Sequence, residues 1–241
     1  MTYCVALKLN EGLVLLSDTR TNAGIDNVSK YRKMFNWAVP GERAIALMTS
    51  GNLSVTQAVI SQLQESIDNA AEGVETILTA PSMFRVAELV GDAMRNVQVR
   101  YGPALTAANA SASIILAGQI KSRSLRLFMV YSAGNFIEAT DDTNYLQIGE
   151  IKYGKPILDR VVTPETSIED GLIAVFLSMD STMKPNMSVG MPLDVAVILA
   201  DTCAFEQYRR IEADDPKFIE LSTEWSEALR DSFVKMRPID V

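Results

Sequence analysis

Alternation of side-chain character begins at the second residue of this chain. From Thr2 to Leu9, Tyr3, Val5, Leu7 and Leu9 fall on one side and Thr2, Cys4, Ala6 and Lys8 on the other, which is the period of a β-strand. Chain ends that nothing ties down fray, so a strand this early predicts a terminus held by its neighbours. Leu13–Asp18 alternates next, after Asn10-Glu11-Gly12, whose residue types favour a tight hairpin turn. The device recurs where Lys33–Val39 and Arg43–Thr49 flank Pro40-Gly41-Glu42. Two consecutive hairpins are therefore predicted, separated by a polar loop from Thr19 to about Lys30.

After Ser50-Gly51-Asn52 the period lengthens to that of a helix. Val55, Val59, Leu63 and Ile67 share one face, and Val86, Leu89, Val90, Ala93, Met94 and Val97 repeat the pattern. Strands return at Ala112–Ala117, Leu125–Tyr131 and Tyr145–Ile148. A later helix is expected with Thr163 as N-cap, Pro164 at the first helical position and Glu165 in the first turn, running to about Met179. A polar segment leads to a strand at Leu193–Asp201, a short strand at Phe205–Ile211 and a charged amphipathic helix at Pro216–Met236. Helices in blocks between runs of antiparallel strands predict an α+β fold, with sheets inside and helix layers outside, rather than a doubly wound parallel sheet. No linker or repeat interrupts the chain, so residues 1–241 read as one domain.

With 48% apolar residues the chain can fill a sizeable core, and its net charge of −8 argues against a nucleic-acid or anionic-membrane surface. The longest apolar stretches fall short of the ~20 residues of a membrane helix, and no signal-peptide pattern precedes the first strand. Cys4 and Cys203 offer neither metal-ligand spacing nor a disulfide framework. A cytoplasmic protein is expected. There is no histidine at all, which excludes a Ser-His-Asp triad, a Cys-His dyad and a histidine-ligated zinc site within one chain. Dinucleotide, P-loop, CxxC and HExxH motifs are missing too. Neither a cofactor nor a metal is expected, and a hydrolase built from this chain needs another base.

Thr2 offers one. Its small side chain permits removal of Met1, which would leave a hydroxyl nucleophile and a free α-amine on the same residue. An α-amine has a pKa of ~7.7–8.0, close to working pH, and can take the place of histidine.

Thr2, then Asp18 and Arg20 in LLSDTRTNAG, then Lys33 and the ALMTSGN turn together resemble the proteasome β-type subunits and the related bacterial heat-shock-locus peptidase. The first thirty residues are most similar to the bacterial Anbu group, the ancestral β subunit of that family. The resemblance spans roughly residues 2–201, leaving 202–241 as a C-terminal strand-helix extension. It implies a four-layer αββα sandwich (the N-terminal nucleophile hydrolase fold), threonine nucleophile chemistry and self-assembly into rings or helical particles, at times with an ATPase unfoldase partner. By position, Thr2 resembles the nucleophile, Asp18 the supporting acid and Lys33 the cation beside it, with Lys30 a weaker competitor because the loop from Gly24 to Lys33 is one residue short.

The likeness further implies an oxyanion site at Ser50 and Gly51, before the first helix, where backbone N–H groups and the helix dipole favour negative charge. Arg20 and Thr21 belong to the same substrate-binding side. Asp180 and Ser188 resemble an aspartate and serine placed near the nucleophile, although DSTMKPNMSVG spaces them more widely than the family does. IGEIKYG puts Glu150 at or near the position of a family serine, where a carboxylate would hold the amine protonated and slow it as a base.

The leading expectation is a self-assembling threonine hydrolase that cuts peptide or amide bonds through an acyl-enzyme. The alternatives are an assembly subunit with decayed chemistry and a small-molecule amidase of the same fold. Phe218, Ile219, Leu221, Trp225 and Leu229 in the tail suit either a subunit contact or docking on the chain's own body.

Overall fold

The computed structural model describes residues 1–22, 28–71, 73–107 and 110–236. The first hairpin pairs β1 (Tyr3–Lys8) with β2 (Gly12–Asp18), and the second pairs β5 (Met34–Val39) with β6 (Arg43–Gly51). Between them lie β3 (Arg20–Asn22) and β4 (Val28–Lys30), an antiparallel pair in place of the expected polar loop. Residues 23–27 of that expected loop lie outside the described residues. Helices α1 (Leu53–Asp68) and α2 (Met83–Ala107) follow, then β7 (Ala112–Ile120), β8 (Arg126–Val130), β9 (Phe136–Glu138) and β10 (Tyr145–Gly149). The chain continues through α3 (Ile151–Val161), α4 (Ile168–Met183), β11 (Leu193–Leu199), β12 (Gln207–Ile211) and α5 (Pro216–Val234).

Two five-stranded antiparallel sheets result, in the orders β10-β1-β2-β11-β12 and β5-β6-β7-β8-β9. Alternation along β1 explains how they stack. Its odd residues Tyr3, Val5 and Leu7 pack with Leu158 of α3 and Val175 and Met179 of α4. Its even residues Cys4 and Ala6 face the second sheet, against Ala46 and Met48 of β6 and Ile115 of β7. Small residues on this inner face let two sheets approach at ordinary sandwich spacing. On the far side, Ile45, Leu47 and Ile114 pack under Val55 and Val59 of α1 and Val86 and Val90 of α2. The order is helix, sheet, sheet, helix, as expected for the αββα sandwich.

Local chemistry departs from the sequence reading in three places. Gly12 is needed less for the turn than for closeness, because a Cβ there would lie 2.5 Å from the Ile198 carbonyl oxygen of β11. Helix α3 lies between Ile148 and Thr163, where the sequence patterns above predict no element, and carries Gly154 and Pro156, which both weaken helix propensity. The helix expected from Thr163 instead starts four residues later. Thr163–Thr166 closes a turn, with Thr166 N–H donating to the Thr163 carbonyl and Thr163 N–H to Thr166 Oγ1. Ser167 is the N-cap of α4, its hydroxyl accepting from Asp170 N–H, while the Glu11 side chain from the β1–β2 turn accepts from Ile168 N–H. This satisfies donors that a helix start leaves open.

At the interface between the sheets, Leu15→Ala would leave a cavity at a site with no exposure. We expect a loss of about 2–5 kcal/mol, read as a lower urea midpoint with an unchanged slope at fixed protein concentration.

Candidate active site

The two hairpins end at one place. β1 and β2 run in register, Cys4 opposite Ser17, so Asp18 arrives beside the start of β1. There its Oδ1 accepts from Tyr3 N–H at 3.1 Å. Lys33, just ahead of β5, is tied in by Thr49 N–H donating to its carbonyl at 2.9 Å. Its ammonium has three donors and all find oxygen: Asp18 Oδ1 at 2.8 Å, the Arg20 carbonyl at 2.6 Å and the Met1 carbonyl at 3.3 Å. Asp18 is wholly buried and Lys33 nearly so. The Lys33 ammonium therefore lies against the peptide bond that precedes Thr2. Lys30 is exposed on β4, and its competing assignment falls away.

A cavity of about 510 Å³ opens over this point, walled by Thr2, Lys33, Thr21, Ser50, Gly51 and Glu150 among others. Gly51 has φ +103°, and a Cβ there would lie 2.2 Å from the Ser111 carbonyl oxygen, so the turn from β6 into α1 tolerates only glycine. Asn52 caps α1, its Oδ1 accepting from Val55 N–H at 3.2 Å. Ser50, Gly51 and the start of α1 thus border the cavity. Thr21 joins them.

The opposite wall comes from the end of β10. Glu150 N–H donates to the Thr2 carbonyl at 2.8 Å. Gly149 has φ +88°, and a Cβ on it would come within 1.9 Å of that same oxygen. The Glu150 side chain lines the cavity and stands 3.7 Å from Lys152.

Two expected residues, Asp180 and Ser188, are not among those that line the cavity. Asp180 sits in the last turn of α4, where its Oδ1 accepts from Ser222 Oγ of α5 at 2.7 Å and Lys184 lies 3.3 Å from Oδ2. Through Ser222 it docks the C-terminal helix. Ser188 is half-buried, and its N–H donates to Asn186 Oδ1. Its loop reaches the site through other atoms, since Gly190 N–H donates to Asp18 Oδ2 at 3.3 Å and Arg20 donates to the Met187 carbonyl at 3.0 Å. A Cβ at Gly190 would lie 2.5 Å from the Arg20 guanidinium carbon. Arg20 therefore anchors this loop. Gly190 was not among the expected residues; its place two residues after Ser188 was the available signal.

Burial pushes the Asp18 carboxyl above its ordinary value, opposed by the Lys33 ammonium and by the N–H groups of Tyr3 and Gly190. The α-amine of Met1 is held below its ordinary value, chiefly by burial and then by Lys33, against Asp18 and Glu150. Lys33→Met would strip the carboxylate of its cation, and breaking a buried pair in this way costs about 3 kcal/mol or more. Because the folded carboxyl binds its proton more tightly than the unfolded one, stability falls as pH rises from the ordinary carboxylate range to the raised value, then levels. Urea midpoints against pH should show that fall in both proteins and extend it to higher pH in Lys33→Met; parallel curves would contradict the pairing.

Residues 2–198 match the family described as Proteasome subunit. Among solved structures, Anbu (Gly-1 mutant) from Hyphomicrobium sp. strain MC1 is 46% identical with a TM-score of 0.94, covering all of both chains. Anbu (ancestral beta-subunit) from Yersinia bercovieri is 40% identical at TM-score 0.93, covering 99% of each chain. The helical assembly of the Anbu complex from Pseudomonas aeruginosa is built of a chain 40% identical at TM-score 0.91, over 99% of this chain and 98% of that one. No curated protein matches. Fold, register and these likenesses agree: the chain belongs to the proteasome subunit family, in its Anbu group.

Proposed function

We propose that this protein is a self-assembling N-terminal threonine hydrolase that cleaves peptide or amide bonds once Met1 is removed. The observation that carries the reading is the buried Lys33 ammonium, fixed by Asp18 and hydrogen-bonded to the carbonyl just before Thr2, in a chain without histidine. In this scheme the Thr2 hydroxyl oxygen bonds to the scissile carbonyl carbon while its proton passes to the freed α-amine. Lys33 stays protonated and favours the alkoxide; backbone N–H groups around Ser50 and Gly51 receive the oxyanion. The C–N bond then breaks and the leaving amine takes the proton from the α-ammonium. Water then attacks the resulting ester and gives a proton to the α-amine, the bond from the Thr2 oxygen to the acyl carbon breaks to release the carboxylic acid, and the α-ammonium passes the water-derived proton to the Thr2 oxygen. No metal or cofactor enters the scheme.

Self-association is supported by the Pseudomonas aeruginosa relative, which forms a helical assembly. The C-terminal half of α5 fits such contacts. Phe218 docks edge-on against Phe176 of the same chain, whereas Leu229 and Phe233 stand exposed four residues apart, on one side of the helix. The same reading treats 1–241 as one domain with 202–241 as its extension, working in the cytoplasm, at times beside an ATPase unfoldase. Among the described residues, no helix is long and apolar enough to cross a membrane.

A second reading, an assembly subunit with weakened chemistry, is favoured by Glu150. Glu150 lines the cavity, and a carboxylate beside a freed Thr2 amine would hold that amine protonated. One experiment separates the two. Protein that begins at Thr2 is treated with a peptide epoxyketone, which captures hydroxyl and free amine together, and the adduct is mapped by peptide mass spectrometry. The hydrolase reading expects modification of Thr2 in the wild type and a loss of about 100-fold or more in rate in Lys33→Met. It also expects the rate to rise with pH through the range in which an α-amine loses its proton and then level, because the unprotonated amine is the proton acceptor. No adduct, at any pH from about 6 to about 9, would favour the assembly subunit.

A further inference from the structure

Tyr3 follows the nucleophile in the chain, and its side chain has no role in the scheme above. Its ring is fully buried against α3 and α4 within an otherwise apolar cluster, yet its hydroxyl is a polar group that burial penalises unless it is partnered. Two different elements supply the partners. Ser178 Oγ of α4 lies 2.6 Å away, and Gln147 Nε2 of β10 donates to the tyrosine oxygen, leaving the phenolic proton free to bond Ser178. Gln147 reaches it diagonally, since Val5 is its register partner and Gly149 that of Tyr3. Helix α3 makes room for the cluster: a Cβ on Gly154 would lie 2.2 Å from Ser178 Oγ and 2.5 Å from Tyr3 Oη. On its main-chain side, Tyr3 N–H is the donor to Asp18 Oδ1.

We propose that the Tyr3 hydroxyl, clamped between Gln147 and Ser178 above Gly154, is a positioning group that fixes the backbone from which Thr2 projects. The inference rests on the threonine-hydrolase reading and deepens it. Apolar burial alone would hold a phenylalanine at this depth but would leave the ring free to slide along α4. Hydrogen bonds to two elements set its height. Because the Tyr3 N–H and the Thr2 carbonyl belong to one peptide group, and are held by Asp18 and Glu150 respectively, a displacement of the ring moves that peptide and the Thr2 hydroxyl with it. Errors of about 1 Å at a reacting group are enough to slow a reaction about 100-fold.

Tyr3→Phe and Gly154→Ala test this from opposite directions, the first removing the hydroxyl and the second crowding it with every polar group intact. With peptide epoxyketone as probe, both should lower the limiting rate of Thr2 modification at least tenfold. The concentration giving half that rate should stay within twofold, and so should the urea midpoint. Deuterium uptake by the peptic peptide carrying β1 should rise in both variants. Wild-type limiting rates in Tyr3→Phe would overturn the proposal, as would losses accompanied by a collapsed midpoint in both variants. If wild-type Thr2 itself takes no probe, the hydrolase reading fails, and the uptake measurement still decides the clamp: unchanged exchange in both variants overturns it.

Discussion

The site is organised around one buried charge pair, Asp18 with Lys33. Neither group is found inside a protein without compensation, because removing a carboxylate and an ammonium from water costs several kcal/mol each. Here the compensation comes from four parts of the chain. Tyr3 and Gly190 give N–H donors to the carboxylate, while Arg20 and Met1 give carbonyls to the ammonium. Each donor or acceptor is main-chain, so the pair is satisfied only when the ends of β1 and β2, the entry to β5 and the loop before β11 are all in place. Charge burial therefore depends on the sandwich being assembled. In turn, the assembled sandwich directs a cation at the peptide bond before Thr2.

That direction explains features with no evident structural purpose. A strand could begin anywhere in the first ten residues; this one begins where the Thr2 carbonyl just before it can accept from Glu150 and the Tyr3 N–H can reach Asp18. The glycines at 51 and 149 occupy positive-φ conformations in which a side chain would collide with neighbouring backbone. Both border the cavity. This close approach of main chain to main chain shapes two walls of the cavity over Thr2.

Much of this was legible in the sequence because it depends on short-range patterns. Period-two alternation identified both hairpins, and the hairpin geometry alone returned Asp18 toward Thr2. Glycine and asparagine at 51 and 52 marked the turn into α1. What failed was governed by tertiary packing. Helix α3 carries Gly154 and Pro156, against local propensity, because Gly154 leaves space for the Tyr3 hydroxyl and Ser178. Thr163-Pro164-Glu165 has the composition of a helix start, but the turn it makes is consumed between two helices. Asp180 and Ser188 illustrate the same limit at the site. The resemblance implies their side chains near Thr2; in the structure the amide of Gly190 donates to Asp18, and Asp180 accepts from Ser222 of α5. A backbone donor has no signature in residue type.

If the Asp18–Lys33 pair exists to serve a free Thr2 terminus, the direct measurement is the intact mass of the protomer in the purified assembled particle, with sequencing of its first residues. A chain that begins at Thr2 is the predicted result. Met1 retained on every protomer of that particle would contradict it, because the α-amine of Thr2 would then be locked in a peptide bond and Lys33 would do no more than hold the Met1 carbonyl.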